Sequence, residues 1–181
     1  MNVLKQPKAL IAITTAFVLG VVVPALAADK PSELNDLQIA HVAYIADNID
    51  IRYAHLALGK SKNPAIHKFA NTMIRDHEAV NRQALALLKK LGAQPQDNFL
   101  SRQLLVNADK LVAEMSALDG KAFDRRYAGN ELAYHKAVNN LVANAFIPNI
   151  ENAEVKSLFK AGLKIFLVHE GHAAMMVKGL K

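Results

Sequence analysis

One stripe of residues does most to restrict the folds open to this chain. At alternating spacings of four and three, Ile66, Ala70, Met73, His77, Val80, Ala84, Leu87 and Leu91 fall on one face of a helix, and only His77 among them can titrate. A seam of that length belongs to a long amphipathic helix packed against other helices. An imidazole in its middle puts a metal-ligating, proton-accepting group where the neighbours are apolar.

Turn residues divide the rest of the chain into similar units. Pro31-Ser32 opens a helix over about residues 33–59, which Gly59 and a Lys-Ser-Lys-Asn turn close. Asn63 and Pro64 start the second, running to about Leu91 before Gly92, and the two form a helical hairpin. After Pro95 and Asp97-Asn98, a shorter helix carries Leu104, Ala108, Leu111, Met115 and Leu118 at heptad-like spacing. The fourth spans about residues 121–146 and is closed by Pro148-Asn149; the fifth spans about residues 152–177. No alternating strand pattern competes. The expected fold is all-α: an antiparallel four-helix bundle of ferritin-like type, with the short helix in the crossover between two hairpins. If that helix climbs back along the bundle, the fourth runs parallel to the second and the fifth to the first. A plain up-and-down five-helix assembly is the alternative.

The first residues read differently. Lys5 and Lys8 precede an apolar run from Ala9 to Val23, then Pro24 and the small tripeptide Ala25-Leu26-Ala27. This is the pattern of a secretory signal peptide cut after Ala27, leaving a domain over residues 28–181; an uncleaved anchor is the alternative, disfavoured by the polar sequence that follows at once. No further membrane span is expected. Loss of Lys5 and Lys8 lowers the formal net charge from +6 to +4. The basic residues lie scattered as KSK, RDH, KK and DRR, which excludes the concentrated face that nucleic-acid binding requires. With no cysteine, disulfides and thiolate metal sites are excluded. Nor is there a serine in a strand-to-helix elbow or a glycine-rich phosphate loop, so the reading leans away from an enzyme.

Polar residues recur on the other apolar faces. Projection of the first helix puts Leu34, Leu37, Val42, Tyr44, Ile45, Ile49, Ile51 and Leu56 on one face, with His41, Asn48 and His55 inside it and Asp50 nearly opposite. On the fourth, Tyr127, Glu131, Tyr134, Val138, Leu141 and Ala145 make a seam, with His135 one turn beyond Glu131. The fifth carries Val155, Phe159, Gly162, Phe166, His169, Ala173 and Met176, with His172 at the edge. Counted from the turns, His77, Glu131, His135 and His169 fall near one central layer, while His41 and His55 sit about 10 Å to either side. His67, Arg125 and Arg126 read as solvated, and Met175 and Met176 as packing.

Two readings fit the layer. In the first, His77, Glu131, His135, His169 and His172 hold a transition metal ion, and imidazole with carboxylate suits zinc, copper, iron or nickel. The Glu-x-x-His pairs of di-iron carboxylate bundles are missing, so a mononuclear, histidine-rich site is expected. In the second, these side chains satisfy one another with Tyr127, Tyr134 and Asn48 in a buried network that fixes helix register. The protein is then a structural or interaction protein of the cell envelope with a protein partner, needed under stress, which docks through charged faces such as Lys121, Arg125 and Arg126.

The segments KSKNPAIHKFANTMIRDHEAVNRQALALLKKLG, LDGKAFDRRYAGNELAYHKAVNNLV and LKIFLVHEGHAAMM resemble a known exported family, the ferritin-like domain of unknown function numbered 4142. The resemblance covers nearly the whole chain after the leader. It implies a periplasmic or outer-membrane-associated protein of Gram-negative bacteria, built as a ferritin-like bundle, with no assigned reaction. The family's recurring histidines correspond to His77, His135 and His172, with His41 and His169 in a close subgroup, and an acidic position late in the first helix corresponds to Asp50.

Overall fold

Asparagine starts four of the five longer helices. In a computed structural model that describes residues 30–180, α1 (Asp36–Lys60), α2 (Pro64–Lys90), α3 (Phe99–Ser116) and α6 (Ala153–Gly179) follow Asn35, Asn63, Asn98 and Asn152, whose side chains accept bonds from backbone N–H groups of the first turn. Asn35 and Asn98 complete capping boxes with Gln38 and Ser101. The first helix therefore begins at Asp36 rather than near Glu33, and residues Pro31–Glu33 form a separate 3-10 turn. Gly92, at φ 63°, ends α2: its N–H and that of Ala93 donate to Lys89 and Leu88 carbonyls, a turn only a left-handed residue closes cheaply. The expected leader, residues 1–27, lies outside the described residues.

The fourth helical unit differs from its sequence pattern. α4 (Gly120–Leu141) passes into a π turn, Val142–Phe146, and then into α5 (Ile147–Asn149), so Pro148 lies inside the helical path rather than closing it. Pro148 has no N–H to donate, and Ile147 N–H reaches back five residues to Val142 O. The widened turn lets the chain stay helical across a residue that cannot join an ordinary ladder.

Cross-helix contacts give the directions. The end of α1 meets the start of α4 through Ser61 and Asp124 (2.6 Å), and further along Tyr134 donates to Ala46 O (2.9 Å), so these helices are antiparallel. Asp76 meets His169, and the end of α2 meets the start of α6 at Lys90 and Glu154, so that pair is antiparallel too. α3 runs back alongside α1, from Asn98 on Gln38 O to Lys60 on Ser116 O. α2 and α4 are thus parallel, as are α1 and α6, and α1 touches α2, α3 and α4. The described residues form helices and the turns between them, with no strand among them. No helix among them is long and apolar enough to cross a membrane.

Two apolar clusters fill the interior. One gathers Tyr53, Ile66, Phe69, Met73, Met115, Phe123 and Tyr127 toward the α1–α2 turn; the other gathers Leu34, Ile39, Val42, Val142, Phe146, Ile150 and Val155 toward the opposite end. The α2 seam is buried through Ile66, Ala70, Met73 and His77, then shifts to Asn81 and Leu88, while Leu91 is exposed. A straight helix drifts against a strict seven-residue repeat, which accounts for the shift.

Candidate metal centre

Between the two apolar clusters lies a layer of buried histidines and carboxylates. His77 comes from α2, His135 and Glu131 from α4, His169 from α6, and Asp47 and Asp50 from α1, all in the buried class. Imidazole centroids lie 5.9 Å apart for His77 and His135, 5.4 Å for His77 and His169, and 5.5 Å for His135 and His169. One nitrogen from each of the three lies within 4.8 Å of the other two, and a second group of the same closeness joins Asp50, Glu131 and His135.

Each ring is held through one nitrogen. His77 Nδ1 bonds Asp47 Oδ1 at 2.7 Å, His135 Nδ1 bonds the Glu131 carbonyl at 2.9 Å, and His169 Nε2 bonds Asp76 Oδ2 at 3.0 Å. Acceptors at these positions fix each ring's orientation, and in a neutral ring they leave the lone pair on the opposite nitrogen. Those opposite atoms, His77 Nε2, His135 Nε2 and His169 Nδ1, are buried and have no hydrogen-bond partner. Phe166 stacks on His77 at 4.7 Å and 6°, and Phe69 meets His135 edge-on, so packing also limits ring rotation.

Asp50 completes the arrangement. Its Oδ2 lies 3.3 Å from His77 Nε2 and 3.3 Å from His135 Nε2, yet neither pair makes a hydrogen bond, and both Asp50 oxygens are unpartnered. Bonds of about 2.0–2.1 Å to one tetrahedral ion space its ligands by about 3.3 Å. The spacing is thus that of ligands on a shared ion. Glu131 stands next in line: it is fully buried, both its oxygens are unpartnered, and Oε2 is 3.8 Å from His135 Nδ1. A void of about 10 Å³ against Asp47, Asp50, His77 and His135 is of the order of a single ion or water.

Protonation follows from burial and charge. Burial opposes a charge on His77, but the carboxylates of Asp50 and Asp47 outweigh it and raise the imidazole to about 9. Burial lowers His135, and it lowers His169 to about 4 against the pull of Asp76. Glu131 is raised well above the usual carboxylate range by burial and by the neighbouring charge of Asp50. Asp76 is held low by its hydrogen bond to Arg75, with His169 assisting. Two rings are therefore neutral and ready to ligate, while the third holds a proton that a cation can displace.

Of the residues the sequence pointed to, His77, Glu131, His135 and His169 meet in this layer. His172 does not: it is exposed on α6, in a surface groove with Phe69 and Thr72 of α2, and in neither ligand group. At i,i+3 from His169 it lies about 60° to one side round the helix, and the buried stripe continues through Ala173 and Met176 instead. Asp50, projected to the outer side of α1, is fully buried. The face that packs inward carries Ile39, Val42, Ala46, Ile49, Tyr53 and Ala57, and its small alanines give it little weight in a hydrophobic projection. Asp47 went unnoticed for the same reason. Asp76, beside His77 in sequence, supports His169. His55 is exposed; His41 is half-buried, 3.9 Å from Asp97; and His67, expected in solvent, is half-buried on Ser61 O at 2.7 Å. Tyr134 and Asn48 bond backbone carbonyls within the helices rather than the histidines.

These features define an all-helical protein with a buried histidine and carboxylate site. Residues 21–176 match the family described as Domain of unknown function (DUF4142), and the chain belongs to it. No curated protein and no solved structure matches the chain.

Proposed function

We propose that this protein is an exported, ferritin-like bundle that binds one first-row transition ion through His77, His135, His169 and Asp50, with Glu131 adjoining. The ferritin-like reading draws on the course of α3, which returns along α1 and leaves α4 parallel to α2. Export to the periplasm rests on the leader pattern of residues 1–27. Zinc, copper, iron and nickel all accept this donor set.

One observation carries the proposal: three imidazoles, each fixed by a partner on one nitrogen, come within ligand reach of one another, and the unpartnered nitrogens of two of them, His77 and His135, lie 3.3 Å from an unpartnered oxygen of Asp50. A network that existed only to satisfy itself would use those atoms, because leaving buried polar atoms unpaired is costly. Removing a folded protein's ion should expose that cost as lower stability. The test is elemental analysis of protein purified without a histidine tag and reconstituted with Zn(II). The expected result is a single equivalent in the wild type and its loss in His77→Ala. Equal, substoichiometric metal in both would overturn the reading and leave the envelope interaction protein, whose partner capture survives histidine substitution.

A further inference from the structure

A second void adjoins the site, and its walls are apolar. It measures about 50 Å³ and is lined by Val42, Leu104, Val138, Val142, Phe159 and Phe166, among others. The small void against Asp50, His77 and His135 shares Ala46, Asp47, Val138 and Phe166 with it. The two spaces are therefore separated by no more than one layer of side chains.

Three features mark the larger space as built rather than left over. Gly162 lines it where any side chain would intrude: a Cβ there meets only Phe166, at 3.6 Å, so the backbone accepts a larger residue and the chain carries none. The π turn Val142–Phe146 contributes Val142 and Phe146 to the wall, and such turns recur at functional sites. Asn81, one turn beyond His77 on α2, lines the cavity and is buried with its Oδ1 unpartnered. A space this apolar stays free of water over most of its length and takes apolar guests. Its volume is a few times what a water needs, which limits the guest to the size of a diatomic gas.

We propose that this cavity binds a small apolar molecule of dioxygen size and presents it to the ion-binding layer at His77 and His135. The second half of that statement rests on the metal reading above; the first half does not. Dissolved xenon serves as the probe, with methyl and imidazole NMR signals followed in the metal-free and Zn(II)-loaded protein. Xenon is expected to shift the methyls of Val42, Val138 and Val142 and the rings of His77 and His135. Gly162→Leu, which fills the space from α6, should abolish those shifts while keeping the helical circular dichroism and cooperative melting of the wild type, the check that it has folded. Ala84→Leu, which fills it from α2, gives the same test from another helix. Absence of xenon shifts in the wild type, or shifts that persist in both filled variants, would overturn the proposal. Xenon binding without any Zn(II) binding would keep the cavity and overturn its link to an ion.

Discussion

The ends of the helix assembly and its waist are built on opposite principles. At one end Phe123 stacks on Tyr127 at 6.1 Å among Ile66, Phe69 and Met73; at the other Phe146 meets Phe159 edge-on at 6.4 Å beside Ile39 and Val42. Between them three imidazoles meet one another, and one nitrogen of each lacks a partner. Apolar burial at the ends supplies the driving force that holds Asp47, Asp50, Glu131 and three histidines together in the middle, where desolvation alone would drive them apart. Shape and chemistry are thus separable, and substitutions should divide along that line.

The largest effect is expected at an end. Phe123→Ala empties a fully buried site and should lower stability by about 3–5 kcal/mol, read as a fall in the thermal midpoint, while the folded fraction still takes up metal. Loss of metal binding in the folded fraction would show that ends and waist are not separable. At the waist, Asp47→Asn keeps the shape but weakens the support of His77, and should cost about 10–100-fold in Zn(II) affinity by competition with a chelator. No change there would mean that His77 is not a ligand held by Asp47.

A pH series sharpens the comparison further. His77 sits at about 9, above its ordinary value near 6.5, so its contribution to metal-free stability is complete below pH 6.5 and is lost as pH rises through 9. Metal needs the neutral ring, so Zn(II) affinity should rise over the same interval, by about tenfold per pH unit below 9 for one displaced proton. His169 has the opposite sense: lowered to about 4, it favours folding above pH 6.5 and that contribution fades as pH falls toward 4. Denaturant midpoints and chelator titrations from pH 5 to 9 should therefore diverge above neutrality for the metal-free and loaded protein. Parallel curves would contradict the assignment of His77. The smallest effect is expected at the surface, where His172→Ala should leave Zn(II) affinity unchanged; a measurable loss would return that ring to the site.

Much of the fold was legible because its punctuation is local. Asn63-Pro64, Asn98 and Asn152 mark helix starts through bonds their own side chains make, and Gly92 marks an end through its backbone. His77 and His169 were legible because large apolar neighbours on α2 and α6 announce which face turns inward. Asp47 was not, and Asp50 only through the family resemblance, because α1 packs against three helices and its inward face uses alanines. Hydrophobic weight then points to the wrong side, and close approach of backbones decides instead. The π turn was hidden too, since Pro148 signals an end unless the preceding turn widens to pass it.

In the proposed site three imidazoles and one carboxylate share an ion at the waist. X-ray absorption fine structure on protein loaded with one equivalent of Zn(II) tests it most directly. The expected spectrum has a first shell at about 2.0–2.1 Å with the outer-shell pattern of three imidazoles, reduced by one in His169→Ala. A shell of oxygen scatterers without imidazole, or a spectrum unchanged by that substitution, would contradict it.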